Sequence, residues 1–382
     1  MKIAIAGGGT GGHIYPAVAV VNSLVKSGKQ VDVSFVGTRR GLEGSIVPAL
    51  GYRMRHIMSR PLPTGPSVGS ALSLVCAFVG FVQSLIILMT DRPAVVIGTG
   101  GYASGPFVTA ARLFGVPILL IEPNSVPGRT TMLLARFVDE VALGFQESVR
   151  YFSKGTNLRV TGVPTRPTLL GNTREHGISM FNLEPARKTV FVFGGSRGAS
   201  SINKAFVEAA TALEGRDDLQ FVAQTGKTDY EYVSQAVQKI NSLCRVYPYI
   251  DDIGSAYAAS DLVVCRAGAG SVAEVTACGL PSILIPYPYA AGGHQEANAK
   301  LLERIGAASV IRDEDLSGER LAQAIVSIIY DTDKMTKMSG RSRELGRPDA
   351  ARDISLRVLE LALRKGRLSK LATVLAELCS VK

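Results

Sequence analysis

The sequence predicts an α/β protein built from two successive parallel β-sheets. Short runs rich in β-branched residues recur along the chain, each ends in Gly, Pro or Asn, and helix-length stretches separate them. This alternation is typical of βα units around a parallel sheet. The series of strands starts afresh at Thr189. A chain of 382 residues also exceeds what one hydrophobic core supports, so two domains are expected.

The predicted strands divide into two sets. The first set lies near residues 2–6, 31–36, 94–98, 117–122, 139–143 and 158–161, and the second near 189–193, 219–223, 245–250, 261–265, 281–285 and 308–311. The proline-containing stretch from Gly162 to Arg187 has little strand pattern and is the expected linker. After Asp349 the pattern is helical, and a final helix over about 349–382 is expected to cross back. We therefore expect one domain over 1–162 with that helix, and another over 163–348.

Composition places the chain among globular proteins. Hydrophobic residues make up 46% and charged residues 19%, which excludes disordered, collagenous and coiled-coil classes. The 5 cysteines are an odd number at irregular spacings without a Cys-x-x-Cys pair, so neither a disulfide framework nor a structural zinc site is predicted. The apolar run after Met1 is too short for a signal peptide, so we expect a chain that stays in a reducing compartment.

The net charge of +10 is unevenly distributed. Residues 1–162 contain 15 Lys and Arg against 7 Asp and Glu, whereas residues 163–382 contain 27 against 25. The first half is therefore expected to meet an acidic partner, and phosphates, nucleic acid and anionic lipid headgroups all fit. Nucleic acid is disfavoured because no basic stripe interleaved with aromatic residues is present.

The segment 71–89 carries no charge over 19 residues, the lower length limit for spanning a bilayer. Spanning is disfavoured, because it would separate strands of one sheet across a membrane. Two alternatives remain open. One is a helix buried on the sheet, and the other is a partly exposed helix that enters the membrane interface beside Arg53, Arg55, Arg60 and Arg92.

A glycine loop, Gly7-Gly8-Gly9-Thr10-Gly11-Gly12, follows the first predicted strand and precedes a helix. Glycines let the backbone approach a ligand and helix N-terminal amides favour negative charge, so the loop suits a phosphate or diphosphate. It also matches G-x-G-x-x-G, which alone is a weak signal. NAD is disfavoured because the second strand ends without Asp or Glu, and NADP, with Arg39 at a 2′-phosphate, stays as an alternative.

Similar loops follow two later strands, at Gly98–Pro106 and at Gly194–Ala199, so each half offers an anion-binding end. His13 stands where the first loop meets its helix, and a neutral imidazole there could accept a proton from an attacking hydroxyl, although a lone His is more often structural. Glu274 lies early in a helix that begins at a Gly-rich turn. There the helix dipole is expected to keep it ionised and able to accept hydrogen bonds from a ribose diol.

The carboxylate pairs favour ordinary roles. Asp251-Asp252 is expected to cap a helix over 253–259, while Asp313-Glu-Asp315 and Asp331-Thr-Asp333 are expected to be caps and solvated charge. No His, Cys and carboxylate residues lie at metal-ligand spacing, so no metal and no cofactor are predicted. No Gly-x-Ser-x-Gly or Cys/His pairing indicates a covalent hydrolase.

Seven blocks taken together resemble the MurG family, glycosyltransferase family 28, and the resemblance runs from residue 1 to about 360. The blocks lie at residues 8–13, 98–106, 122–124, 194–199, 249–252, 265–274 and 294–298. The resemblance implies a GT-B fold of two Rossmann-like domains whose parallel sheets face a central cleft. It also implies an N-terminal domain that faces the membrane and takes the lipid acceptor, and a C-terminal domain that takes UDP-N-acetylglucosamine (UDP-GlcNAc).

The same resemblance implies specific roles. His13 is the expected base, Glu274 the ribose ligand and Ile250 the uracil ligand through its backbone, Ser196 and Arg166 bind the phosphates, and Gln295 and Asn124 bind the sugar hydroxyls. The full donor set is Thr10, Gly11, Gly12, Asn124, Arg166, Ser196, Ile250, Ala269, Gly270, Ser271, Val272, Ala273, Glu274 and Gln295. The acceptor diphosphate is expected at Gly9, Gly100, Gly101, Tyr102 and Ser104. Ala267 and Gly270 depart from residues that some members carry.

The implied activity is an inverting transfer of N-acetylglucosamine (GlcNAc) to the C4 hydroxyl of the muramyl sugar of lipid I, an undecaprenyl-diphosphate-linked precursor, at the cytoplasmic face of the bacterial membrane. This transfer forms lipid II for peptidoglycan synthesis and uses no metal. The alternatives are another GT-B UDP-sugar enzyme, such as a glycolipid glycosyltransferase or a UDP-GlcNAc 2-epimerase, an NADP-dependent reductase, or a non-catalytic nucleotide-sugar binder.

Overall fold

A computed structural model describes residues 1–9, 11–28, 30–39, 41–61, 67–166, 168–240 and 243–379, with side chains described as far as residue 364. The chain divides into two compact units, Met1–Thr165 with Asp349–Lys382, and Arg166–Pro348. We call them the first and second units.

The first unit contains a seven-stranded parallel sheet in the order β3-β2-β1-β4-β5-β6-β7, the strand order typical of a doubly wound sheet. Its elements are β1 (Lys2–Ala6), α1 (Gly11–Lys26), β2 (Asp32–Gly37), α2 (Glu43–Ala49), β3 (Arg53–His56), α3 (Val68–Asp91), β4 (Val95–Gly98), α4 (Ser104–Leu113), β5 (Ile118–Glu122), α5 (Arg129–Leu134), β6 (Glu140–Leu143) and β7 (Leu158–Val160).

The second unit contains a six-stranded parallel sheet in the order β10-β9-β8-β11-β12-β13. Its elements are α6 (Arg174–Met180), β8 (Lys188–Phe193), α7 (Ser200–Ala212), β9 (Leu219–Gln224), α8 (Tyr230–Val237), β10 (Leu243–Tyr247), α9 (Ile253–Ala259), β11 (Leu262–Cys265), α10 (Ala269–Ala277), β12 (Ser282–Leu284), α11 (His294–Ile305), β13 (Ala308–Val310), α12 (Gly318–Ile329) and α13 (Thr332–Leu345).

Both faces of the first sheet are buried, as helices on both sides of a parallel sheet require. Successive side chains of a strand point to opposite faces, so Ile3 and Ile5 pack on one core and Ala4 and Ala6 on the other. The helix α14 (Ala350–Cys379) joins the first of these cores, where its apolar face packs with residues of α1.

A buried ion pair fixes α14 to the edge of that sheet. Glu140, in β6, is 1% exposed and accepts hydrogen bonds from Arg357 Nε of α14 at 3.0 Å and from Arg159 Nε of β7 at 3.1 Å. This carboxylate raises the pKa of Arg357 through that hydrogen bond, against a smaller lowering by burial. The final helix therefore belongs to the first unit through charge as well as through apolar packing.

Among the described residues, α3 is the one helix long and apolar enough to cross a membrane, and 28% of its 18-residue apolar window is buried. Its buried face consists mostly of small or polar residues, including Ser73, Gly80 and Ser84, with Leu88 as its one large apolar residue. Its exposed face carries large apolar side chains, at Val68, Leu72, Leu74, Val75, Phe78, Val82, Ile86 and Met89. The interpretation of residues 71–89 as a helix buried on the sheet is therefore wrong.

One strand escaped the sequence analysis. β3 consists of Arg-Met-Arg-His, has no β-branched residue and lies at the edge of the sheet with half-exposed side chains. It forms because its backbone pairs with β2, from Ser34 opposite Arg53 to Gly37 opposite His56. An exposed edge strand needs no apolar pattern, so its sequence carried no strand signal.

Candidate active site

The first unit brings two of the predicted glycine loops together at the carboxyl ends of β1 and β4. Gly100 and Gly101 have φ values of +88° and +76°, in the region that favours glycine. A Cβ atom at Gly101 would lie 2.5 Å from the carbonyl oxygen of Gly8. The loops therefore touch backbone to backbone, and no larger residue fits at that contact.

His13, in the first turn of α1, lies between these loops. Its Nδ1 is 2.9 Å from the carbonyl oxygen of Gly8. Cβ atoms at Gly100 and Gly101 would lie 3.4 Å from its Nε2 and 3.3 Å from its Nδ1. Because a carbonyl oxygen only accepts, Nδ1 donates, and the neutral ring then has its lone pair on Nε2. The structure thus assigns Nε2 as the basic nitrogen of His13.

Two predicted diphosphate ligands are occupied within the loops themselves. The amide of Gly9 donates to Glu43 Oε2 at 2.8 Å. Ser104 is buried, and its hydroxyl lies 2.7 Å from the carbonyl oxygens of both Ala6 and Gly100. The Gly9 amide and the Ser104 hydroxyl are therefore used within the protein, where both groups hold the loops in shape.

The remaining predicted residues of this loop pair lie together. The aromatic ring of Tyr102 faces Gly9, with its Cε1 3.3 Å from where a Cβ of Gly9 would be. Gly11 and Gly12 open α1, and the first amides of a helix have no partner within it. Thr10 lies outside the described residues.

Glu122, at the end of β5, organises the loop that carries Asn124. This buried carboxylate accepts from the Asn124 amide at 3.1 Å, from Asn124 Nδ2 at 3.2 Å and from the Gly128 amide at 2.9 Å. Asn124 is therefore held by its side-chain nitrogen. A Cβ atom at Gly100 would lie 3.7 Å from Thr131 Oγ1, so the start of α5 adjoins the second glycine loop.

In the second unit, the third glycine loop follows β8 and exposes Ser196. Gln224, which the sequence analysis missed, links this loop to Ile250. Its Nε2 donates to the Gly195 carbonyl oxygen at 3.1 Å, and its Oε1 accepts from the Ile250 amide at 2.9 Å. The Ile250 amide is thus occupied, so the backbone contact expected at Ile250 concerns its carbonyl group.

Glu274 lies in the second turn of α10 rather than its first. Tyr257, fully buried in α9, donates to Glu274 Oε2 at 3.0 Å, and Arg166 Nε lies 3.6 Å from Glu274 Oε1. Burial raises the pKa of Glu274, and the charge of Arg166 and the Tyr257 hydrogen bond oppose that rise only in part. The helix dipole acts within the first turn, so desolvation, Arg166 and Tyr257 set the direction of the pKa shift of Glu274.

The residues of α10 around Glu274 differ in which of their atoms a ligand can reach. Val272 is completely buried in the core and Ala269 nearly so, so a ligand would meet these two through backbone alone. Gly270, Ser271 and Ala273 are partly exposed.

Gln295, in α11, lies next to the start of α10. Its Oε1 accepts from the Tyr287 amide at 3.0 Å, and its Nε2 lies 3.9 Å from where a Cβ of Gly268 would be.

The carboxylates assigned to ordinary roles separate in the structure. Asp252 caps α9 by accepting from the Ser255 amide at 3.3 Å, and Asp331 caps α13 by accepting from the Lys334 amide at 2.9 Å, as predicted. Asp313 is not a solvated charge, because it forms an ion pair with Arg266, whose side chain is 10% exposed. Over the described ranges, no group of three His, Cys, Asp or Glu residues is placed to hold a metal ion.

Comparison with known proteins identifies the family to which these two units belong. Residues 3–143 match the N-terminal domain of glycosyltransferase family 28, and residues 189–354 match its C-terminal domain. The chain is 42% identical over 360 residues to a protein of Desulforamulus reducens, with 93% of this chain and 97% of that protein covered. It is 41% identical over 366 residues to a protein of Chlorobium limicola, with 95% and 100% covered.

Both relatives are named UDP-N-acetylglucosamine--N-acetylmuramyl-(pentapeptide) pyrophosphoryl-undecaprenol N-acetylglucosamine transferase. The crystal structure of Acinetobacter baumannii MurG superposes with a TM-score of 0.75 at 27% identity, covering 94% of this chain and 99% of that one. The chain belongs to glycosyltransferase family 28. Its two parallel-sheet units form the GT-B fold, as predicted, and it is a sugar transferase rather than an NADP-dependent reductase.

Proposed function

We propose that this protein transfers GlcNAc from UDP-GlcNAc to the C4 hydroxyl of the muramyl sugar of lipid I, and so forms lipid II for peptidoglycan synthesis. The printed names of the relatives, at 41–42% identity over nearly the whole chain, support the reaction and both substrates. The single structural observation that carries the chemistry is His13, whose basic Nε2 is defined by the Gly8 carbonyl at 2.9 Å.

His13 Nε2 takes the proton of the C4 hydroxyl as the oxygen attacks the anomeric carbon of the donor. One C–O bond forms, the bond from that carbon to the diphosphate breaks, and UDP leaves with the electron pair. A single displacement inverts an α-linked donor to a β-linked product. The acceptor diphosphate is assigned to the Gly100–Gly101 backbone and the Tyr102 side chain, and the amides of Gly11 and Gly12 at the start of α1 are assigned to the donor.

The nucleotide part of the donor is assigned to the second unit. Glu274, aimed by Tyr257, accepts from the ribose hydroxyls, and the carbonyl oxygen of Ile250 accepts from the uracil N–H. Ser196 and Arg166 bind the diphosphate, and Arg166 then lies within reach of both the diphosphate and the Glu274 carboxylate. Gln295 and the oxygen of the Asn124 side-chain amide bind the sugar.

Fixed groups of the protein are assigned to stabilise the negative charge that builds on the departing UDP. Amides at the helix start that follows the third glycine loop, together with the guanidinium of Arg166, are held in place before the reaction and stabilise that charge as it forms. On this basis the reaction proceeds without a metal ion.

The exposed apolar face of α3 is assigned to the surface of the cytoplasmic membrane, where the acceptor's lipid chain resides. Arg60 and Arg92, both exposed, flank the helix and suit an anionic leaflet. Arg53 and Arg55 contribute less positive charge to the membrane-facing surface than the sequence indicated. Arg53 forms an ion pair with Asp32 at 3.0 Å, and Arg55 forms one with Asp91 at 2.6 Å. This assignment makes the protein a peripheral one.

The test is transfer of radiolabelled GlcNAc from UDP-GlcNAc to a soluble lipid I analogue, with and without EDTA. We expect a β-linked disaccharide product, equal rates with and without chelator, and no transfer to water in the absence of acceptor. Loss of activity in EDTA that added Mg²⁺ restores would contradict the metal-free reaction. Binding of UDP-GlcNAc without transfer to any muramyl acceptor would contradict the proposed function itself.

A further inference from the structure

A buried carboxylate lies beneath the first glycine loop and is not explained by substrate binding. Glu43, the first residue of α2, is 1% exposed. Its Oε2 accepts from the Gly9 amide at 2.8 Å, and its Oε1 accepts from the Thr38 amide at 2.9 Å and from Thr38 Oγ1 at 3.0 Å. A carboxylate that accepts three hydrogen bonds in a buried site is held in one orientation.

The backbone around this carboxylate is shaped to admit it. Cβ atoms at Gly8, Gly37 and Gly41 would lie 2.3, 2.6 and 2.0 Å from atoms of the Glu43 side chain. None of these three glycines has a positive φ value, so left-handed backbone does not explain them. Their missing side chains instead leave the room in which the carboxylate reaches the Gly9 amide.

The Gly9 amide and the Gly8 carbonyl belong to one peptide group. Glu43 accepts from the N–H side of that group at 2.8 Å, and His13 Nδ1 donates to its C=O side at 2.9 Å. Since a peptide group is planar and conjugated, a negative charge at its N–H pushes electron density toward its oxygen. The carbonyl oxygen of Gly8 then becomes a better acceptor for the N–H of His13.

In this series of contacts a carboxylate, Glu43, orients a base, His13, through one peptide group that lies between them. In catalytic triads the carboxylate binds the imidazole directly, fixes its tautomer and stabilises the imidazolium that forms during the reaction. We propose that Glu43 is a positioning residue of His13 that acts through the Gly8–Gly9 peptide. This inference rests on the proposed role of His13 as the base.

Other ionisable groups belong to the elements around the two glycine loops. From the loop after β4 comes Tyr102, and from the segment before and at the start of α5 come Glu122, bound to the Gly128 amide, and Arg129. Glu43 differs from these because it is connected to His13 Nδ1 through a single shared peptide group.

The first test compares the pH dependence of kcat in Glu43→Gln and Thr38→Val. His13 must be neutral to accept a proton, so we expect activity to fall at low pH, and on this proposal that fall depends on the charge of Glu43. We expect Glu43→Gln to lower kcat by roughly tenfold and to shift the acid limb by about half a pH unit or more toward lower pH. The KM for UDP-GlcNAc should stay near the wild-type value.

Thr38→Val is the matched control because it removes a hydrogen bond from Oε1 of the same carboxylate and leaves its charge and its Gly9 contact in place. We expect its acid limb to coincide with that of the wild type. An equal shift in both variants, or none in Glu43→Gln, would overturn the proposal. A Gln side chain leaves one of the two amides without an acceptor, so thermal unfolding of both variants is recorded as well.

A second measurement on the wild-type protein needs no folded Glu43 variant. Labelling glycine with carbonyl ¹³C and amide ¹⁵N selects the six Gly-Gly pairs of the sequence in an HNCO spectrum, among them Gly8-Gly9. Protonation of His13 polarises the shared peptide, so the Gly9 amide proton should move downfield between about pH 8 and about pH 5.5. In His13→Gln that response should disappear, and a Gly9 signal unaffected by His13 would overturn the proposal.

The two proposals fail in different ways. If His13→Ala turns over near the wild-type rate, His13 is not the base, whatever the NMR titration shows. If His13→Ala is inactive while Glu43→Gln keeps the wild-type pH profile and Gly9 does not respond to His13, the base assignment stands and the role of Glu43 is wrong.

Discussion

The hydroxyl of Tyr257 donates a 3.0 Å hydrogen bond to Glu274 Oε2 from a completely buried ring. Phe191 and Phe193 pack edge-on against that ring, at centroid distances of 5.6 and 6.0 Å. The carboxylate assigned to the ribose is therefore aimed by a residue that itself lies within the core.

Removing this hydroxyl should weaken donor binding without slowing the chemical step. We expect Tyr257→Phe to raise the KM for UDP-GlcNAc by roughly tenfold, the value of one hydrogen bond to a charged group, with kcat nearly unchanged. Tyr330→Phe is the matched control, since it removes a hydroxyl that donates to Asp218 at 2.8 Å elsewhere in the second unit. Steady-state kinetics in which both variants behave alike would contradict the assignment.

Donor binding should also depend on pH through Glu274. Burial raises the pKa of this carboxyl above its ordinary value of 4.5, so it takes up a proton at higher pH than a solvent-exposed Glu does. Its ionised form accepts from the ribose, and UDP-GlcNAc affinity should therefore fall as the pH drops through the raised value. Calorimetric titrations at several pH values measure this fall.

The same titrations on Tyr257→Phe test whether the Tyr257 hydrogen bond raises or lowers the pKa of Glu274. Because the Tyr257 hydrogen bond lowers the pKa of Glu274, its loss should move the fall in affinity to still higher pH. UDP-GlcNAc affinity that is flat down to the ordinary carboxyl range would contradict a role for the ionised carboxylate.

The ion pair of Glu140 and Arg357 yields a prediction about stability. Arg357→Ala removes one partner of a buried carboxylate and should lower the free energy of unfolding by about 3 kcal/mol. Arg159→Ala, at a side chain that is 52% exposed, should cost about 1 kcal/mol or less. Urea denaturation of both variants measures the difference, and equal effects would show that α14 is held by apolar packing alone.

The exposed face of α3 should determine membrane binding. We expect Phe78→Ser combined with Val82→Ser to reduce sedimentation with vesicles containing anionic phospholipid by several-fold, since two large apolar side chains leave the interface. Turnover of a soluble lipid I analogue should be unchanged. Leu363→Ser, at an exposed apolar position of α14, is the control. Vesicle binding that survives the double substitution would place the membrane contact elsewhere.

The local pattern of the chain predicted the architecture well and the site only in part. The run Lys2–Ala6, followed by glycines, predicts a strand and then a loop, because strand periodicity and the backbone geometry of glycine are local properties. The contacts that define the site join distant residues instead. Glu43 lies 34 positions from Gly9, and Gln224 lies 26 positions from Ile250. No spacing rule connects such pairs.

Tyr257 is a second example of a site residue that the sequence alone does not reveal. In the sequence it is one aromatic residue in a short apolar helix, and such residues usually fill a core. It does fill the core, and its hydroxyl still reaches Glu274, which only the packing of α9 against the neighbouring elements reveals. Glu274 stood out in the sequence after its Gly-rich turn, but the direction of the pKa shift of Glu274 depends on burial that no sequence pattern reports.

The most direct measurement is kcat for His13→Ala with both substrates saturating, beside His176→Ala as an exposed histidine control. We predict that His13→Ala loses about a hundredfold or more, the usual contribution of a general base, while His176→Ala keeps the wild-type rate. Turnover by His13→Ala within a few-fold of the wild type would contradict the assignment of Nε2 as the group that takes the acceptor's proton.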